Sequence, residues 1–482
     1  MIKFNKDTLW FFEKTVKFMN TWSKSDELKI SHRKSDKDFT RCRKLNFENM
    51  IILMLQKWVK SLQLRLNEFF CKTWIKTTAS AFTLARNKIS HWVFISLNKS
   101  VLIDRFYNKQ ENKWLYKIWN GFRILATDWS KIILPDSKEI KKYFWEIKVN
   151  NGQLEQKSYS TATLSTIYDV LNNMAIDNLL EIWVYSERAL AIKHIINLWH
   201  YTKTEENDLI IFDRGYHSYL LFWTVLSRKK DFVCRIWKNS YKEAMELFDK
   251  ESLINSKTVI LEIPPKTIND IEEYNEKYWL NLVLDNEFNK TDLNSNSDQT
   301  VLIQNTIKVR FVRVVIDDWE IEVLATSLLD EEKYPNEIFK ELYFKRWWIE
   351  GYYDILKNRL WLENFSWKTV ESVLQDIFST ILLSNFESIA TKTANEQLAQ
   401  KSKEKWLKNE QKVNKQVSFN IIKNSVLELF LSDKPIKTVI REIEEIFLIN
   451  PTQYRKWRTS KRKLSSHNQI MNYHKRKKKH CF

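Results

Sequence analysis

Four polar side chains recur at helical spacing in the segment Asn336–Arg359, which reads NEIFKELYFKRWWIEGYYDILKNR. They are Tyr343, Arg346, Glu350 and Lys357, and at about 100° per residue they fall within an arc of about 60° on one helix face. A carboxylate flanked by cations can bind a metal ion while the cations hold phosphate groups on either side. Solvated helix faces also carry such charge spacing, but the many aromatic residues of this helix predict that much of it is buried.

Two aspartates stand at the ends of hydrophobic runs that are typical of strands. Asp128 follows Phe122–Thr127, and Asp213 follows Asp208–Phe212. Sites in α/β folds gather at the carboxyl ends of strands, although an aspartate there is also a common helix N-cap. Together with Glu350, these acids can hold two Mg²⁺ ions, which activate a water or a 3′-hydroxyl and stabilise the leaving oxygen in phosphoryl transfer. Three rival acids rank lower: Asp136, Asp317 and Glu363.

The surrounding elements alternate between strand and helix patterns, which predicts an α/β fold. Further strands are predicted at Gln153–Asp169, Leu179–Tyr185 and Asp231–Ile236, and helices at Ser186–Leu198, His217–Leu226 and, amphipathic, Val370–Ile389. This pattern divides the chain into five parts. They are a helical region with a DNA-binding or support role (1–115), the first part of the core (116–237), a β-rich insertion (238–319), the last part of the core (320–395), and a helical region with a basic tail (396–482).

The composition of the 482 residues favours a globular protein that binds a polyanion. Hydrophobic residues make up 44% of the chain, and the formal net charge is +18. Residues 452–482 carry 11 lysines and arginines without an acidic residue, which suits nucleic acid or a merely solubilising tail. No apolar run approaches the ~20 residues that span a bilayer, and no signal peptide is recognisable. The four cysteines form no zinc spacing, so a reduced cytosolic protein is expected.

Glycine is rare and tryptophan frequent in this chain. It has 4 Gly and 21 Trp, whereas an average composition of ~7% Gly would give about 34. Some tryptophans stand where backbone geometry favours glycine: Trp319 in a predicted hairpin turn, and Trp199 and Trp279 after predicted helices. We hypothesise that many of these tryptophans are encoded by UGA codons that the host reads as glycine. An AT-rich genome alone does not enrich tryptophan.

Three blocks of the sequence resemble the DDE transposases of bacterial insertion sequences, in the IS-four group. The first is ATDWSKIILPDS around Asp128, the second is FDRGYHS with Asp213 and Arg214, and the third is the Tyr-x2-Arg-x3-Glu-x6-Lys spacing of the 343–357 helix. The following LENFSWKTVESVLQDI is also similar to the family, and the resemblance runs from about Arg41 to Ile389. Where the family has glycine, this chain has Trp129, Trp348 and Trp367, whereas Trp347 matches the family.

The resemblance implies an RNase H-like catalytic core that a β-rich insertion interrupts before the last acid. It implies Mg²⁺-dependent cut-and-paste transposition with two ions, for which Mn²⁺ can substitute, often through a DNA hairpin. Asp128, Asp213 and Glu350 would be the metal ligands. Tyr343, Arg346, Lys357 and Arg214 would contact double-stranded DNA, whose backbone contacts position it without reading sequence. The family implies a homodimer on DNA at two element ends, in the cytoplasm and associated with the nucleoid.

Other functions fit parts of the pattern. One is a decayed copy that binds DNA without catalysis, although the presence of all three acids disfavours decay. Another is an RNase H-like nuclease that cuts structured DNA or RNA without needing element ends. A glycosidase with two carboxylates is conceivable, but the basic tail and the cations beside Glu350 argue against it.

Overall fold

A computed structural model describes residues 6–41, 43–56, 61–71, 76–108, 112, 114–149, 157–182, 185–201, 207–284, 300–317 and 320–454. The basic tail beyond Tyr454, the beginning of the predicted strand Gln153–Asp169, the end of the predicted strand Leu179–Tyr185 and Trp319 fall partly or wholly outside these residues. The predictions made for them are therefore not tested by the structure.

Helices and strands alternate through the middle of the chain, between regions that are mainly helical. The α-helices, in chain order, are Lys6–Ser23 (α1), Asp26–His32 (α2), Phe47–Leu55 (α3), Leu62–Phe70 (α4), Ala79–Arg86 (α5), Trp92–Leu97 (α6), Asp104–Phe106 (α7), Lys138–Phe144 (α8), Glu187–Tyr201 (α9), Tyr219–Ser227 (α10), Pro265–Tyr278 (α11), Ile338–Phe344 (α12), Trp348–Asp354 (α13), Val370–Ala390 (α14), Lys392–Glu404 (α15), Lys415–Leu431 (α16) and Ile436–Ile449 (α17). The strands are Phe122–Ile133 (β1), Glu146–Val149 (β2), Lys157–Asp169 (β3), Met174–Ile182 (β4), Asn207–Phe212 (β5), Asp231–Arg235 (β6), Ser256–Glu262 (β7), Asn281–Leu284 (β8), Thr300–Ile303 (β9), Thr306–Asp317 (β10), Glu320–Thr326 (β11), Glu410–Val413 (β12) and Pro451–Tyr454 (β13).

The chain divides into two compact units. The helical unit comprises Met1–Leu102, Leu134–Tyr143 and Asp354–Phe482, and the sheet unit comprises Ile103–Ile133 and Phe144–Tyr353. The five-part division of the sequence stays a prediction, because a compact unit in space need not be one stretch of sequence.

The sheet unit is built on a nine-stranded mixed sheet in the order β2-β3-β1-β5-β6-β11-β10-β7, with β4 paired to β3. Strands β1, β5 and β6 are parallel neighbours, and β3 runs antiparallel to β1. Strands β7 and β10 come from the region predicted as a β-rich insertion, and they extend the same sheet through β11. The prediction of an α/β fold is confirmed at this level: a large mixed sheet combined with many helices.

An ionic cluster in the core fixes the beginning of the parallel strands. Arg123 on β1 donates from Nε to Asp208 on β5 over 2.7 Å, and both side chains are fully buried. Lys230, just before β6, donates to the other oxygen of the same carboxylate. Burial opposes the ionisation of Asp208, but the two cations overcome it and lower the pKa of this carboxyl. Three adjacent strands are thus joined at one buried charge.

The helical unit has α14 at its centre. This helix packs against α3 and α6 from the N-terminal region and against α16, and most of its side chains are buried around the whole circumference. The helix predicted at Val370–Ile389 is present, but the prediction that it has one exposed polar face is wrong. Other helices cover its polar face as well as its apolar face. That polar face is satisfied internally: Asp376 accepts a hydrogen bond of 2.9 Å from Arg86 of α5, and Gln375 accepts one of 2.6 Å from the same guanidinium.

Two further observations qualify the sequence predictions. Helix α9 runs to Tyr201, so Trp199 lies inside it and not at a cap, as the shorter predicted helix had suggested. Within the described helices, no stretch combines the length and hydropathy needed to cross a membrane.

Candidate active site

Asp128 lies on β1 at the point where the strand ceases to be fully buried. Phe122–Thr127 are buried, and exposure begins at Asp128. The strand itself continues to Ile133, so the prediction that Asp128 closes the strand is wrong: pairing with β3 extends β1 beyond its hydrophobic run. The carboxylate accepts a 2.8 Å hydrogen bond from the N–H of Trp129. The hydroxyl of Tyr353 donates to the carbonyl oxygens of Asp128 (2.8 Å) and Leu164 (3.1 Å), which holds the backbone of the two strands in place.

The charge of Asp128 is unfavourable in its surroundings. Burial raises the pKa of its carboxyl to about 6, and the negative charges of Glu350 and Asp213 act in the same direction. The N–H of Trp129 and the guanidinium of Arg346 offset part of this effect. A partly buried carboxyl whose pKa is raised by burial and by two nearby acids is common in functional sites. The charges of two predicted acids, Glu350 and Asp213, therefore both act on the third, Asp128.

Asp213 follows β5 and precedes the 3₁₀ segment Arg214–Tyr216. Its side chain makes no capping hydrogen bond within the described chain, so the N-cap interpretation does not apply to it. The hydroxyl of Tyr343 on α12 donates to its carboxylate over 3.2 Å. Asp213 is thus oriented by a side chain from the helical segment that the sequence had singled out.

Glu350 lies in the first turn of α13, four residues after Arg346 of the 3₁₀ segment Lys345–Trp347. Arg346 donates to the Glu350 carboxylate over 3.2 Å, and its guanidinium lies 5.9 Å from the ring centroid of Tyr343. Three of the four residues predicted to share one helix face, Tyr343, Arg346 and Glu350, are therefore neighbours. The single helix predicted at Asn336–Arg359 is instead divided into α12, the 3₁₀ segment, α13 and a π-helical segment that carries the fourth residue, Lys357. Burial lowers the pKa of Arg346, but Tyr343 and the three acids overcome this and raise it. The Nε of Arg346 is buried without a hydrogen-bond partner among the described residues.

The chemistry of the three acids fits a hard divalent cation, since carboxylate oxygens are the ligands that Mg²⁺ takes. Binding a dication would also offset the repulsion by Glu350 and Asp213, which adds to the effect of burial on the pKa of Asp128. The three carboxylates do not converge to ligand distances, however. Among the residues that the structure describes, no group of three or more histidine, cysteine, aspartate or glutamate side chains is arranged to hold a metal ion. The Glu350 carboxylate is instead bonded to Arg346.

The remaining predicted residues differ in their placement. Arg214 stacks its guanidinium over Trp237 at 3.9 Å from the ring centroid. Lys357 belongs to the helical unit, on the π-helical segment Ile355–Arg359. Burial lowers the pKa of its ammonium group, and Glu363 offsets only part of this effect. Two of the rival acids, Glu363 and Asp136, also belong to the helical unit, and the third, Asp317, is the last residue of β10.

Sequence reasoning missed one acid of the sheet unit, Glu187, the first residue of α9. Burial raises the pKa of its carboxyl, as does the charge of Asp213, while the side chain of Trp129 donates a hydrogen bond that lowers it. A Cβ at Gly215 would lie 3.1 Å from an oxygen of this carboxylate, so a side chain there would press on Glu187. Tyr216 is buried, the charges of Asp128, Glu187 and Asp213 act on it, and its hydroxyl lacks a hydrogen-bond partner within the described part of the chain. The signal was weak: an acid in the first turn of a helix is common.

The tryptophans that stand where the resembling family has glycine occupy ordinary backbone. Trp129 is half-buried on β1, and Trp348 and Trp367 are exposed. None of the three has a positive φ.

Comparison with known proteins identifies the class to which this fold and site belong. The model of the family "Transposase DDE domain" matches residues 119–386, more than half of the 482-residue chain. The putative transposase InsZ of Escherichia coli (strain K12) is 22% identical over 174 residues, which cover 35% of this chain and 53% of that relative. The match therefore spans about half the length of the relative. A cryo-EM structure of a piggyBac transposase synaptic complex with hairpin DNA aligns with 96% of this chain and 88% of its own, at 9% identity and a TM-score of 0.40.

A mixed sheet that brings several carboxylates into one electrostatic environment is consistent with a phosphoryl-transfer protein. The family match makes the assignment specific: the chain belongs to the DDE transposase domain family.

Proposed function

We propose that this protein is the transposase of a bacterial insertion sequence of the IS-four group. It would cleave and join DNA strands at the element's terminal inverted repeats in a metal-dependent, cut-and-paste reaction. The observation that carries the proposal is that the charges of Asp213 and Glu350 both act on Asp128, and that all three acids act on Arg346. The order β4-β3-β1-β5-β6, in which β1, β5 and β6 are parallel and β3 is antiparallel, supports an RNase H-like core.

Asp128, Asp213 and Glu350 are the groups that would hold two Mg²⁺ ions, or Mn²⁺ in their place. When bound, such ions activate a water or a 3′-hydroxyl for attack and stabilise the leaving oxygen. The chain's own contribution is to orient the acids. Tyr343 holds one oxygen of Asp213, and the N–H of residue 129 holds one oxygen of Asp128.

Arg346 would supply positive charge beside the acids. Its guanidinium is bonded to Glu350, and its buried Nε has no partner among the described residues, so one N–H remains to be satisfied by a bound group. A guanidinium suits a phosphate oxygen because its donors match the geometry of the anion. In this proposal Arg346 holds the DNA backbone near the cut, together with Tyr343, Arg214 and Lys357, and the phosphate competes with Glu350 for the guanidinium.

Double-stranded DNA is the proposed partner, both at the element ends and at the target. The formal net charge of +18 favours binding to a polyanion in a salt-dependent manner. A homodimer that pairs two element ends, within the nucleoid of the cytoplasm, completes the proposal.

The test is a cleavage assay on DNA that carries the gene's own flanking inverted repeats, with Mg²⁺ added or chelated. The chain is assayed as written and with Trp129, Trp348 and Trp367 changed to glycine, which tests whether an indole beside Asp128 crowds the acids. Asp128→Asn in each form removes one carboxylate charge. The matched control is Asp136→Asn, which removes an exposed aspartate charge from the helical unit.

We expect Mg²⁺-dependent cuts at the repeat ends, a loss of about 100-fold or more with Asp128→Asn, and little change with Asp136→Asn. DNA binding in a gel-shift assay should survive both substitutions. Binding without cleavage by any form would point to the decayed DNA-binding protein. Cleavage that ignores the repeats would point to a nuclease.

A further inference from the structure

Residues with left-handed backbone conformation in this protein are tryptophan far more often than expected by chance. Among the described residues, eight that are not glycine have a positive φ, and four of these are tryptophans: Trp145, Trp279, Trp361 and Trp406, with φ of 64°, 52°, 53° and 50°. Tryptophan makes up 21 of the 482 residues, so it is expected in fewer than one of eight positions. Bulky residues with positive φ are outliers, whereas glycine adopts this conformation at no steric cost.

All four tryptophans lie at the ends of helices. Trp145 directly follows α8, Trp279 is the left-handed C-cap of α11, and Trp361 follows the π-helical segment Ile355–Arg359 by two residues. Trp406 follows α15 by two residues. Helices commonly end on one left-handed residue, and that residue is usually glycine.

The end of α15 shows the full hydrogen-bond pattern of such a glycine cap. The N–H of Leu407 donates to the carbonyl of Ser402 over 3.0 Å, and the N–H of Trp406 donates to the carbonyl of Lys403 over 3.1 Å. This pair of bonds defines the Schellman motif, in which the left-handed position belongs to glycine. The indole contributes nothing to it, because both bonds are made by backbone atoms.

Three of these four side chains are also more than half exposed, and Trp361 is 36% exposed. Trp406 is 93% exposed, Trp279 82% and Trp145 58%, although tryptophan is highly buried on average. Other tryptophans of this chain use their rings: the indole N–H of Trp223 donates to the Leu302 carbonyl, and Trp237 stacks under Arg214. Neither of these two has a positive φ. The described tryptophans thus fall into two populations, which are distinguished by backbone conformation.

We propose that residues 145, 279, 361 and 406 are glycine in the protein that its own cells make, because UGA codons at these four positions are decoded as glycine. The proposal concerns the covalent identity of the chain, so it stands or falls independently of the proposed function. Of the positions named from the sequence alone, Trp279 is left-handed as predicted, whereas Trp199 lies within a helix.

The first test reads the four codons in the gene and the four residues in the native protein. We expect UGA at all four positions and UGG at Trp223 and Trp237. Peptide mass spectrometry of the protein isolated from its own cells should give the mass of glycine at each of the four. A UGG codon at any of them, or a peptide that carries tryptophan there, overturns the proposal.

The second test uses the backbone argument and needs only recombinant protein. A side chain on a left-handed residue costs steric energy that glycine avoids. Trp406→Gly is therefore expected to stabilise the chain and to raise its folded-to-unfolded ratio by about 5-fold to 30-fold. The matched control is Trp10→Gly, an exposed tryptophan inside α1, where glycine is expected to lower that ratio. Equilibrium urea unfolding measures both. Destabilisation by Trp406→Gly as large as that by Trp10→Gly overturns the argument from backbone conformation.

Discussion

The raised pKa of Asp128 predicts that an uncharged residue at this position makes the metal-free protein more stable at neutral pH. Burial, Glu350 and Asp213 move the pKa of this carboxyl from 3.8 to about 6 in the folded state. At about 1.36 kcal/mol for each pKa unit, ionising it in the folded protein costs about 3 kcal/mol. Asparagine keeps the oxygen that accepts the hydrogen bond from Trp129 and carries no charge, so Asp128→Asn removes this cost.

The pH dependence follows from the sign of the shift. Because the folded state holds the proton more tightly than the unfolded state, the wild-type protein loses stability as the pH rises from about 4 to about 6. The asparagine variant has no such loss. The two proteins should therefore have similar free energies of unfolding near pH 4, and the variant should be more stable by about 3 kcal/mol above pH 7.

The assay is urea unfolding in EDTA at a series of pH values, with Asp136→Asn as a control for the loss of an exposed aspartate. Adding Mg²⁺ should then stabilise the wild-type protein more than Asp128→Asn, because only the former keeps all three proposed ligands. A difference in stability that stays constant from pH 4 to pH 8 would refute the reasoning about Asp128.

Three further predictions concern the frame around the site. Asp208→Asn leaves two buried cations without their carboxylate and should destabilise the protein by about 3–5 kcal/mol in urea unfolding. The control Glu273→Gln removes a charge from an exposed ion pair and should cost less than about 1 kcal/mol. Similar costs for the two substitutions would contradict the role given to burial. Tyr353→Phe removes the hydroxyl that bonds the carbonyls of β1 and β3 and should cost about 1–3 kcal/mol by the same assay, and a neutral effect would contradict that bond. Gly215→Ala should destabilise the chain by pressing on Glu187, and Glu187→Ala should relieve that cost in a double-mutant cycle; additive effects would place the two side chains apart.

Much of the site could be predicted from the sequence because its signals are local. The helical spacing of Tyr343, Arg346 and Glu350 predicts that they are neighbours, and in the structure Arg346 contacts the other two. The two aspartates were found because each follows a hydrophobic run. The α/β class followed from the alternation of strand and helix patterns.

The errors lie where distant parts of the chain decide the outcome. Strand β1 extends past Asp128 because β3 pairs with it, and β3 is more than twenty residues away. Helix α14 is buried all round because helices from the two ends of the chain cover it. Glu187 was missed because its neighbours, Trp129 and Asp213, lie on other elements. Local sequence patterns do not predict any of these long-range contacts.

We propose that Asp128, Asp213 and Glu350 form one divalent-metal site. The most direct measurement is Mn²⁺ binding to the protein followed by electron paramagnetic resonance, with Asp128→Asn, Asp213→Asn and Glu350→Gln compared one at a time with Asp136→Asn. We expect each of the first three substitutions to weaken Mn²⁺ binding by about tenfold or more, and the fourth to leave it unchanged. Unchanged Mn²⁺ binding in the three acid variants would contradict the proposed metal site. An equal loss of Mn²⁺ binding in all four variants would also contradict it.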